Sequence, residues 1–313
     1  MQNILVVGGA GYIGSACVRR LCDKGCKVWV VDNLSKGRRD LVDERAKFKK
    51  LDILNRKELE AFIQSKSFDA LMHFAAHKDA GASMKEGSLY SENIRGMINL
   101  LDVMIKAGVS KIIFSSSAAV YGDPVYTPVD ENHPLNPINY YGYTKVNCED
   151  LMKWYTTIYG IEFVSLRYFN VAGDDGLSYT DPDAKNLFPI IQDVLSGKKE
   201  KLQIYGDDYE TRDGTCVRDY IHLSDLAEAH LKALEFKGSE IFNLGTESGQ
   251  TVLEVVGEFE NQSGREIPRE ITKRRKGDPP SLIADSGKAR KKLNWKTQKG
   301  LKEMVESTLN NQA

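Results

Sequence analysis

The chain has 313 residues, of which 41% are hydrophobic and 28% are charged, as is ordinary for a globular protein. With 43 basic and 44 acidic residues, the formal net charge is −1, which argues against nucleic acid as a partner and leaves any anionic ligand to a few placed cations. No apolar run approaches the roughly 20 residues that a membrane span needs, so we expect no membrane partner.

The N-terminal sequence and the cysteines predict where the protein resides. The start, "MQNILVVGGAG", lacks a basic n-region and leads straight into a predicted strand, so we expect no signal peptide. The five cysteines are odd in number and lack metal-ligand spacing. We therefore expect reduced thiols, no metal site and a cytoplasmic location.

Apolar β-rich runs alternate with helical patterns through the first half of the chain. Strands are predicted at 4–9, 27–32, 47–53, 69–76, 111–117 and 162–169, and helices at Tyr12–Lys24, Arg56–Ser65, Ser88–Ala107 and 138–160. This alternation predicts an α/β fold with a buried parallel sheet. Beyond residue 170, long segments rich in Gly, Asp and Pro predict a smaller lobe, closed by a last helix near Lys299–Leu309.

A glycine-rich turn joins the first strand to the first helix. "VVGGAGYIGS" satisfies Gly9-x-Gly11-x-x-Gly14 and also Gly8-x-x-Gly11-x-x-Gly14. Such glycines let backbone N–H groups approach a pyrophosphate, and Asp32, 18 positions past Gly14, is placed to bind an adenosine ribose. Because a carboxylate repels a 2′-phosphate, the pattern predicts a Rossmann-type doubly wound sheet that binds NAD rather than NADP. A glycine turn without a ligand is the alternative.

Neighbouring residues bear on the same prediction. The cations Lys36, Arg38 and Arg39 lie near Asp32 and are either a sign of NADP or a solvated helix start. Asp52 and Ile53, after the third predicted strand, suit the edge of an adenine ring. Phe74, Ala75 and Ala76, after the fourth, leave room for the cofactor backbone. Either segment is alternatively a plain strand end.

The stretch "NYYGYTK" contains three tyrosines before a lysine. On a helix, Tyr141 and Lys145 share a face with Cβ atoms about 6 Å apart, whereas Tyr140 and Tyr143 lie off that face. An ammonium group beside a phenol lowers its pKa, which suits the phenol to acid–base chemistry, so Tyr141 is the predicted catalytic tyrosine. The preceding strand ends in hydroxyls that suit a reacting oxygen, those of Ser115, Ser116 and Ser117.

Taken together, "GGAGYIGS", "VDN", "FSSSAAVYG", "YYGYTK" and "LRYFNVAG" resemble the extended short-chain dehydrogenase/reductases. Within that group, "YGDDYETRDGTCVRDYIHLSDLA" and "RRKGDPP" resemble UDP-glucose 4-epimerases, and the resemblance runs from Asn3 to about Trp295. It implies epimerisation at C4 of UDP-galactose and UDP-glucose through a transient 4-keto sugar, with NAD held tightly. It also implies a homodimer joined through the helices near 88–107 and 138–160.

The resemblance also assigns residues and domains. Tyr141 is implied to be the base, Lys145 its partner and a ligand of the nicotinamide ribose, and Ser117 a hydrogen-bonding group for the sugar O4. Other cofactor positions are implied at Tyr12, Ile13, Asn33, Lys78, Asn93 and Tyr168. The UDP-sugar positions are Lys78, Asn170, Asn186, Leu187, Gln203, Arg218, Tyr220, Arg275, Asp278 and Leu282. The predicted NAD-binding domain is 1–169, with 217–241 returning to it, and the nucleotide-sugar lobe is 170–216 and 242–313.

Alternatives within and outside the family differ in particular residues. Sugar-nucleotide 4,6-dehydratases need an acid and a base directly after the strand-end hydroxyl, where this chain has Ala118 and Ala119. Leu282 is intermediate in size, which leaves UDP-GlcNAc/UDP-GalNAc epimerisation open, and UDP-glucuronate is a further alternative. A free dehydrogenase would not need the nucleotide-sugar positions. A non-catalytic NAD-binding regulator would be expected to lack Tyr141 or Lys145.

Overall fold

The structure is a computed structural model that describes residues 2–179, 186–275 and 278–310. It divides into two compact units. Unit 1 comprises Met1–Gly122, Leu135–Arg167 and Ala227–Phe242, and unit 2 comprises Asp123–Pro134, Tyr168–Leu226 and Asn243–Ala313. The domain boundaries expected from the sequence stay a prediction. Lys276 and Gly277 of the motif "RRKGDPP" lie outside the described residues.

The helices follow the predicted pattern closely in the first half of the chain. Two of them end at glycines with left-handed backbone, α4 at Gly108 and α5 at Gly160, and the Asn139 side chain caps the start of α5. These caps set the bounds of α5 within the predicted range of 138–160. The helices are α1 Tyr12–Asp23, α2 Arg56–Gln64, α3 Ala80–Ser83, α4 Gly87–Ala107, α5 Tyr140–Tyr159, α6 Leu187–Leu195, α7 Leu223–Glu235, α8 Val252–Ser263, α9 Gly287–Lys292 and α10 Leu301–Asn310, with 3-10 helices at Arg39–Leu41 and Ala118–Val120.

The strands occur where the apolar runs predict them, and several are shorter. The first ends at Val7 because Gly8 takes a positive φ of 79°, and the third ends at Lys50, shortly before the Asp52 carboxylate accepts a hydrogen bond from the Leu54 N–H. The strands are β1 Asn3–Val7, β2 Lys27–Asp32, β3 Lys47–Lys50, β4 Ala70–His73, β5 Lys111–Ser117, β6 Glu162–Tyr168, β7 Asn170–Ala172, β8 Leu202–Tyr205, β9 Val217–Arg218, β10 Tyr220–His222, β11 Glu240–Leu244, β12 Gln250–Thr251, β13 Arg269–Thr272 and β14 Ser281–Leu282.

Among the described residues, the main sheet has seven strands in the order β11-β6-β5-β4-β1-β2-β3. The pairs β1–β2, β1–β4, β2–β3 and β4–β5 are parallel. The chain runs outward from β1 to β3 on one side and from β4 to β6 on the other, so the direction reverses between β1 and β4. Ligands bind at the carboxyl ends of the strands at such a reversal, and the predicted doubly wound α/β fold is confirmed.

A continuous apolar core supports this sheet in unit 1. Leu5, Val31, Leu71 and Ile112 of the strands pack with α4 side chains such as Leu100, and each is at most 1% exposed. Full burial of an aliphatic side chain contributes roughly 1.5–3 kcal/mol, so this layer holds the strand ends rigidly in register.

Unit 2 contains short strands whose register matters for the predicted substrate residues. β9 pairs with β14 in parallel, which sets Arg218 opposite Leu282, and β10 pairs with β7, which sets Tyr220 opposite Asn170. β12 also pairs with β9, and β13 pairs with β8. The core of this unit includes side chains of α6, α8 and α10, among them Phe188, Ile191, Val255, Phe259 and Met304.

Candidate active site

The glycines between β1 and α1 meet different packing demands. A Cβ atom at Gly8 would lie 2.4 Å from the Ala75 nitrogen, and one at Gly14 would lie 2.2 Å from the Gly8 carbonyl oxygen. At Gly11 a Cβ atom would meet that oxygen at an ordinary 3.5 Å. Gly11 is the N-cap of α1 and has no side chain to cap the helix, as suits a phosphate at this terminus. The next two residues, Tyr12 and Ile13, are half-buried in the first turn.

Asp32 ends β2 and is 8% exposed. Its carboxylate accepts hydrogen bonds from the Ala10 N–H at 3.1 Å and the Leu34 N–H at 2.8 Å, which ties the glycine loop to β2. Burial raises the pKa of Asp32, and these two hydrogen bonds oppose that shift. Beside it, the Asn33 amide donates to the Asp52 carboxylate at 3.0 Å, so the polar residues at the ends of β2 and β3 are joined.

Two of the cations near Asp32 are held by residues further along the chain. Arg38 Nε donates to Asp40 Oδ1 at 3.1 Å, and the Arg39 guanidinium lies 4.8 Å from the Phe48 ring centroid. These contacts agree with a solvated helix start better than with a 2′-phosphate site.

The loop after β4 lies against the glycine turn and is fastened to α4. The Asn93 side chain accepts from the His77 N–H at 2.9 Å and donates to the His77 carbonyl at 3.0 Å and to Thr144 Oγ1 at 3.1 Å. Asn93 is therefore occupied in holding this loop against α4 and α5. The other predicted residues here are half-buried Phe74, Ala75 and Ala76, exposed Lys78, and Ile53, whose side chain would collide with a Cβ atom at Gly96.

The structure separates the three tyrosines of "NYYGYTK". The Tyr140 hydroxyl is 2.8 Å from Ser91 Oγ, and its ring stacks on Tyr143, which is 48% exposed. Tyr141 instead lies beside the Ser117 hydroxyl, which favours its phenolate form, and Lys145 Nζ lies 5.7 Å from its ring centroid. The geometry therefore brings together the three residues predicted to be catalytic.

Lys145 and the three serines at the end of β5 have distinct environments. Lys145 is 3% exposed, and its Nζ donates to the Ser115 carbonyl at 2.6 Å. Ser117 Oγ accepts from the Ala119 N–H at 3.1 Å. Ser116 Oγ donates to the Glu149 carboxylate at 2.6 Å, so this hydroxyl is directed away from the predicted reaction.

Burial dominates the pKa values of this group. It raises the pKa of Tyr141 to about 12, against a smaller lowering by the Ser117 hydrogen bond, and it lowers the pKa of Lys145 to about 8. For the protein without ligands the net shift of the phenol pKa is therefore upward, and the expected lowering by the Lys145 ammonium stays a prediction. The cost of desolvating a phenolate exceeds the lowering that the Ser117 hydroxyl supplies.

Unit 2 collects most of the predicted UDP-sugar residues. Arg218 Nη1 donates to the Pro279 carbonyl at 2.9 Å, and Nη2 lies 3.4 Å from Asp278 Oδ1. Arg218, Asp278 and Leu282 are thus neighbours. The Asn170 amide donates to the Asp219 carbonyl at 3.0 Å.

A second group in unit 2 forms around an aromatic ring. The Arg275 guanidinium lies 3.7 Å from the Tyr205 ring centroid, and the Tyr205 hydroxyl donates to Gln203 Oε1 at 2.8 Å. The remaining predicted residues are exposed Asn186 and half-buried Leu187 at the start of α6, buried Tyr220, and half-buried Tyr168 at the end of β6.

Asp219 was missed by the sequence reasoning. It is fully buried, and its carboxylate accepts from the Thr246 N–H at 2.8 Å, the Glu247 N–H at 3.0 Å and the Ala284 N–H at 3.0 Å. Burial raises the pKa of this carboxyl, and these hydrogen bonds oppose the shift. Asp219 therefore fixes the segment that presents Arg218. Its position between Arg218 and Tyr220 was the available signal.

Glu149 and Arg167 were also missed. They form a buried ion pair in unit 1, with Arg167 Nε 3.0 Å from Glu149 Oε1. Glu149 continues the spacing of four that links Tyr141 to Lys145, and Arg167 interrupts an otherwise mostly apolar strand. The spacing of Glu149 and the charge of Arg167 within a strand were therefore features from which the sequence could have indicated this pair.

Within residues 2–179, 186–275 and 278–310, no helix is both long and apolar enough to cross a membrane. The same described ranges contain no group of three or more His, Cys, Asp and Glu side chains arranged to hold a metal ion.

Comparison with known proteins agrees with this geometry. Residues 4–245 match the NAD dependent epimerase/dehydratase family. The UDP-glucose 4-epimerase of Streptococcus mutans is 47% identical over 305 residues, 94% of this chain and 92% of the relative. The Brucella ovis UDP-glucose 4-epimerase in complex with NAD superimposes with a TM-score of 0.95 at 39% identity, covering 98% of this chain and 97% of the other. The Bifidobacterium longum UDP-glucose 4-epimerase in complex with NAD⁺ and UDP superimposes with a TM-score of 0.93 at 37% identity, covering 99% of this chain and 98% of the other. The resemblance seen in the sequence is confirmed, and the chain belongs to the NAD dependent epimerase/dehydratase family.

Proposed function

We propose that this chain is an NAD-dependent UDP-glucose 4-epimerase, which interconverts UDP-galactose and UDP-glucose by inverting C4 of the sugar. The observation that carries the proposal is the grouping of Ser117, Tyr141 and Lys145 at the carboxyl end of β5. Relatives that share this activity align over nearly the whole chain. A non-catalytic regulator would have no need to retain all three groups.

The residues of unit 1 fit NAD. Gly8 and Gly14 pack without room for a side chain, and Gly11 leaves the start of α1 open to a pyrophosphate. In this proposal Asp32 binds the adenosine ribose and Lys145 the nicotinamide ribose. Asn33, Asp52 and Ile53 line the adenine. The other cofactor positions in unit 1 are Tyr12, Ile13, Phe74, Ala75, Ala76, Lys78, Asn93 and Ser115, and Tyr168 of unit 2 stays a predicted cofactor position.

When bound, NAD supplies the hydride chemistry at C4. The chain supplies proton transfer and positioning. Tyr141 removes the proton of the 4-hydroxyl and later returns it, while Ser117 hydrogen-bonds the same oxygen and holds it beside the phenol. Lys145, with a pKa of about 8, keeps its positive charge at neutral pH and stabilises the phenolate.

Arg218 and Arg275 are the proposed partners of the diphosphate. A guanidinium group can donate two parallel hydrogen bonds to phosphate oxygens, and a chain of net charge −1 must use such placed cations. The Tyr205 ring beneath Arg275 and the Pro279 carbonyl at Arg218 hold the two side chains in place. The remaining substrate positions are proposed at Lys78, Asn170, Asn186, Leu187, Gln203, Tyr220, Asp278 and Leu282.

The test is an incubation of the purified protein with UDP-galactose, with and without added NAD, followed by quantification of UDP-glucose. We expect conversion, and conversion without added NAD would show that the cofactor co-purifies. Tyr141→Phe should lower kcat by roughly 10²–10⁴-fold, whereas Tyr143→Phe, on the exposed side of the same helix, should change it less than about twofold. No conversion with NAD present would refute the epimerase proposal, and an undiminished Tyr141→Phe would refute the assignment of the base.

Leu282 determines which other sugars belong in that assay. It lies opposite Arg218 in the β9–β14 register and is half-buried. A leucine leaves more room than a tyrosine would, so UDP-GalNAc is the second candidate substrate, and UDP-glucuronate is the third compound to include. Turnover of UDP-GalNAc above that of UDP-galactose would move the main assignment to the N-acetylated sugars.

We also propose that the chain forms a homodimer through α4 and α5. Trp154, Ile158 and Tyr159 of α5 are 65%, 62% and 54% exposed, which is unusual for large apolar side chains grouped on one helix. Light scattering after size-exclusion chromatography should give twice the chain mass of 35.1 kDa, and Trp154→Glu should shift the protein toward the monomer. A monomeric wild-type protein at micromolar concentration would refute this assembly.

A further inference from the structure

Beneath the catalytic residues, unit 1 buries a complete charge pair. Glu149 is fully buried and Arg167 is 2% exposed. The guanidinium meets the carboxylate through two nitrogens, Nε 3.0 Å from Oε1 and Nη2 2.5 Å from Oε2. Ser116 and Ser165 donate to Oε1 at 2.6 Å and 2.9 Å. Buried ion pairs of this kind contribute little net stability compared with apolar residues of the same size, so stability alone does not account for this one.

The Glu149–Arg167 pair is connected to the proposed catalytic residues through α5, the helix that carries Glu149. Tyr141, Lys145 and Glu149 are spaced by four and form one stripe along α5. Their partners belong to the end of β5. Lys145 binds the Ser115 carbonyl, and Glu149 binds the hydroxyl of the next residue along the strand. The hydrogen bond from Ser116 to Glu149 therefore holds the end of β5 against α5, directly beside the residues of β5 that Lys145 and Tyr141 contact.

The pair is also joined to the turn that follows β5. Arg167 Nη1 donates to the Tyr121 hydroxyl at 2.9 Å, and Tyr121 is fully buried. Tyr121 directly follows the 3-10 turn Ala118–Val120, whose N-cap is Ser117. Glu149 thus holds the residue before Ser117, and Arg167 holds the far end of the turn after it.

We propose that the Glu149–Arg167 pair is a positioning device that sets the register of β5 against α5 and so fixes the Ser117 hydroxyl at the Tyr141 phenol. The inference rests on the proposed function, because its catalytic consequence requires Tyr141 and Ser117 to act on the sugar. Neither Glu149 nor Arg167 is a catalytic residue, since each acts through the serines and Tyr121.

The test replaces both charges with apolar side chains of similar volume, in the double variant Glu149→Leu and Arg167→Met. Because the charges leave together, no unpaired charge is buried and we expect a folded protein, with a Tm lowered to the extent that the buried hydroxyls of Ser116, Ser165 and Tyr121 lose their partners. With UDP-galactose as substrate, kcat should fall at least tenfold while KM stays within about threefold. Met152→Leu is the matched control, because Met152 is buried on α5 beyond Glu149, and it should change neither constant more than about twofold.

A folded double variant with kcat within twofold of the wild type would overturn the proposal, and so would an equal loss in the Met152→Leu control. If the double variant does not fold, Tyr121→Phe decides the question, since it removes only the hydroxyl that Arg167 binds. A fall in kcat at constant KM supports the proposal, and unchanged constants overturn it.

An inactive wild-type protein would count against the proposed function alone. Positioning is then read from a crystal structure of the folded double variant or, failing that, of Tyr121→Phe. Separation of Ser117 Oγ from the Tyr141 hydroxyl supports the proposal, and unchanged geometry overturns it.

Discussion

His73 offers a quantitative test of how the fold sets charge at the site. It is the last residue of β4, and it is 2% exposed. Its Nδ1 has no hydrogen-bond partner among the described residues, and its ring centroid lies 5.8 Å from that of Phe114. Burial, together with the nearby positive charge of Lys145, lowers the pKa of His73 from its usual 6.5 to about 3. The imidazole is therefore neutral in the folded protein at every pH above about 3.

This shift predicts a loss of stability in mild acid. In the unfolded chain His73 binds a proton below about pH 6.5, whereas the folded protein excludes that proton until about pH 3. The contribution of the neutral imidazole is complete above pH 6.5 and is lost as the pH falls toward 3. Each pH unit inside this window costs about 1.4 kcal/mol, so lowering the pH from 8 to 5 should remove about 2 kcal/mol through this residue alone.

Urea unfolding of the wild type and of His73→Leu at pH 8 and pH 5 isolates the effect. The stability lost between the two pH values should be smaller by about 2 kcal/mol in the variant, which corresponds to roughly 4–8 °C in Tm. Phe114→Leu changes the packing beside His73 without removing a titrating group, so it should keep the wild-type difference. An equal loss in wild type and His73→Leu would show that the buried imidazole does not govern acid sensitivity.

Three further outcomes follow from the same structure. Gly14→Ala should destabilise unit 1 by about 2 kcal/mol or more and abolish NAD binding in calorimetry, because the new Cβ atom would lie 2.2 Å from the Gly8 oxygen. In the control Gly87→Ala the new Cβ atom would meet no atom of another part of the described structure within 4 Å, so stability and NAD binding should stay unchanged. The rate of UDP-galactose conversion should fall above about pH 8 as Lys145 loses its charge, and a flat profile to pH 10 would contradict its role as a cation. Asp219→Ala should weaken UDP binding and lower the urea midpoint, because buried backbone N–H groups left unpaired cost roughly 1–3 kcal/mol each.

Patterns that act within a few residues of sequence were read correctly. The glycine turn, Asp32 at the end of β2 and the spacing from Tyr141 to Lys145 depend on local geometry, and the structure places each on the predicted element. The errors at strand ends are also local. The first strand was predicted to 9 and ends at Val7, because the positive φ of Gly8 is needed for its approach to the loop after β4, which sequence spacing does not reveal.

Contacts between distant segments could not be read in the same way. Glu149 and Arg167 were visible as charges in buried-looking patterns, but their pairing across 18 positions depends on how β6 lies against α5. Asp219 likewise receives hydrogen bonds from Thr246 and Ala284, and these segments are brought together only by the fold of unit 2. A single sequence can indicate that such residues are unusual, but it does not show which distant residues they contact.

The pKa values show why the identity of a catalytic group does not give its charge. From spacing alone, Lys145 was expected to lower the pKa of Tyr141, yet burial raises the phenol to about 12 and lowers the lysine to about 8. At neutral pH the phenol of the protein alone keeps its proton, so it becomes a base only when additional positive charge is brought beside it. One helical turn further along α5, Glu149 forms its buried ion pair with Arg167. The stripe along α5 therefore separates its tasks: Tyr141 and Lys145 are the proposed reactive groups, and the buried ion pair of Glu149 holds the strand beside them in place.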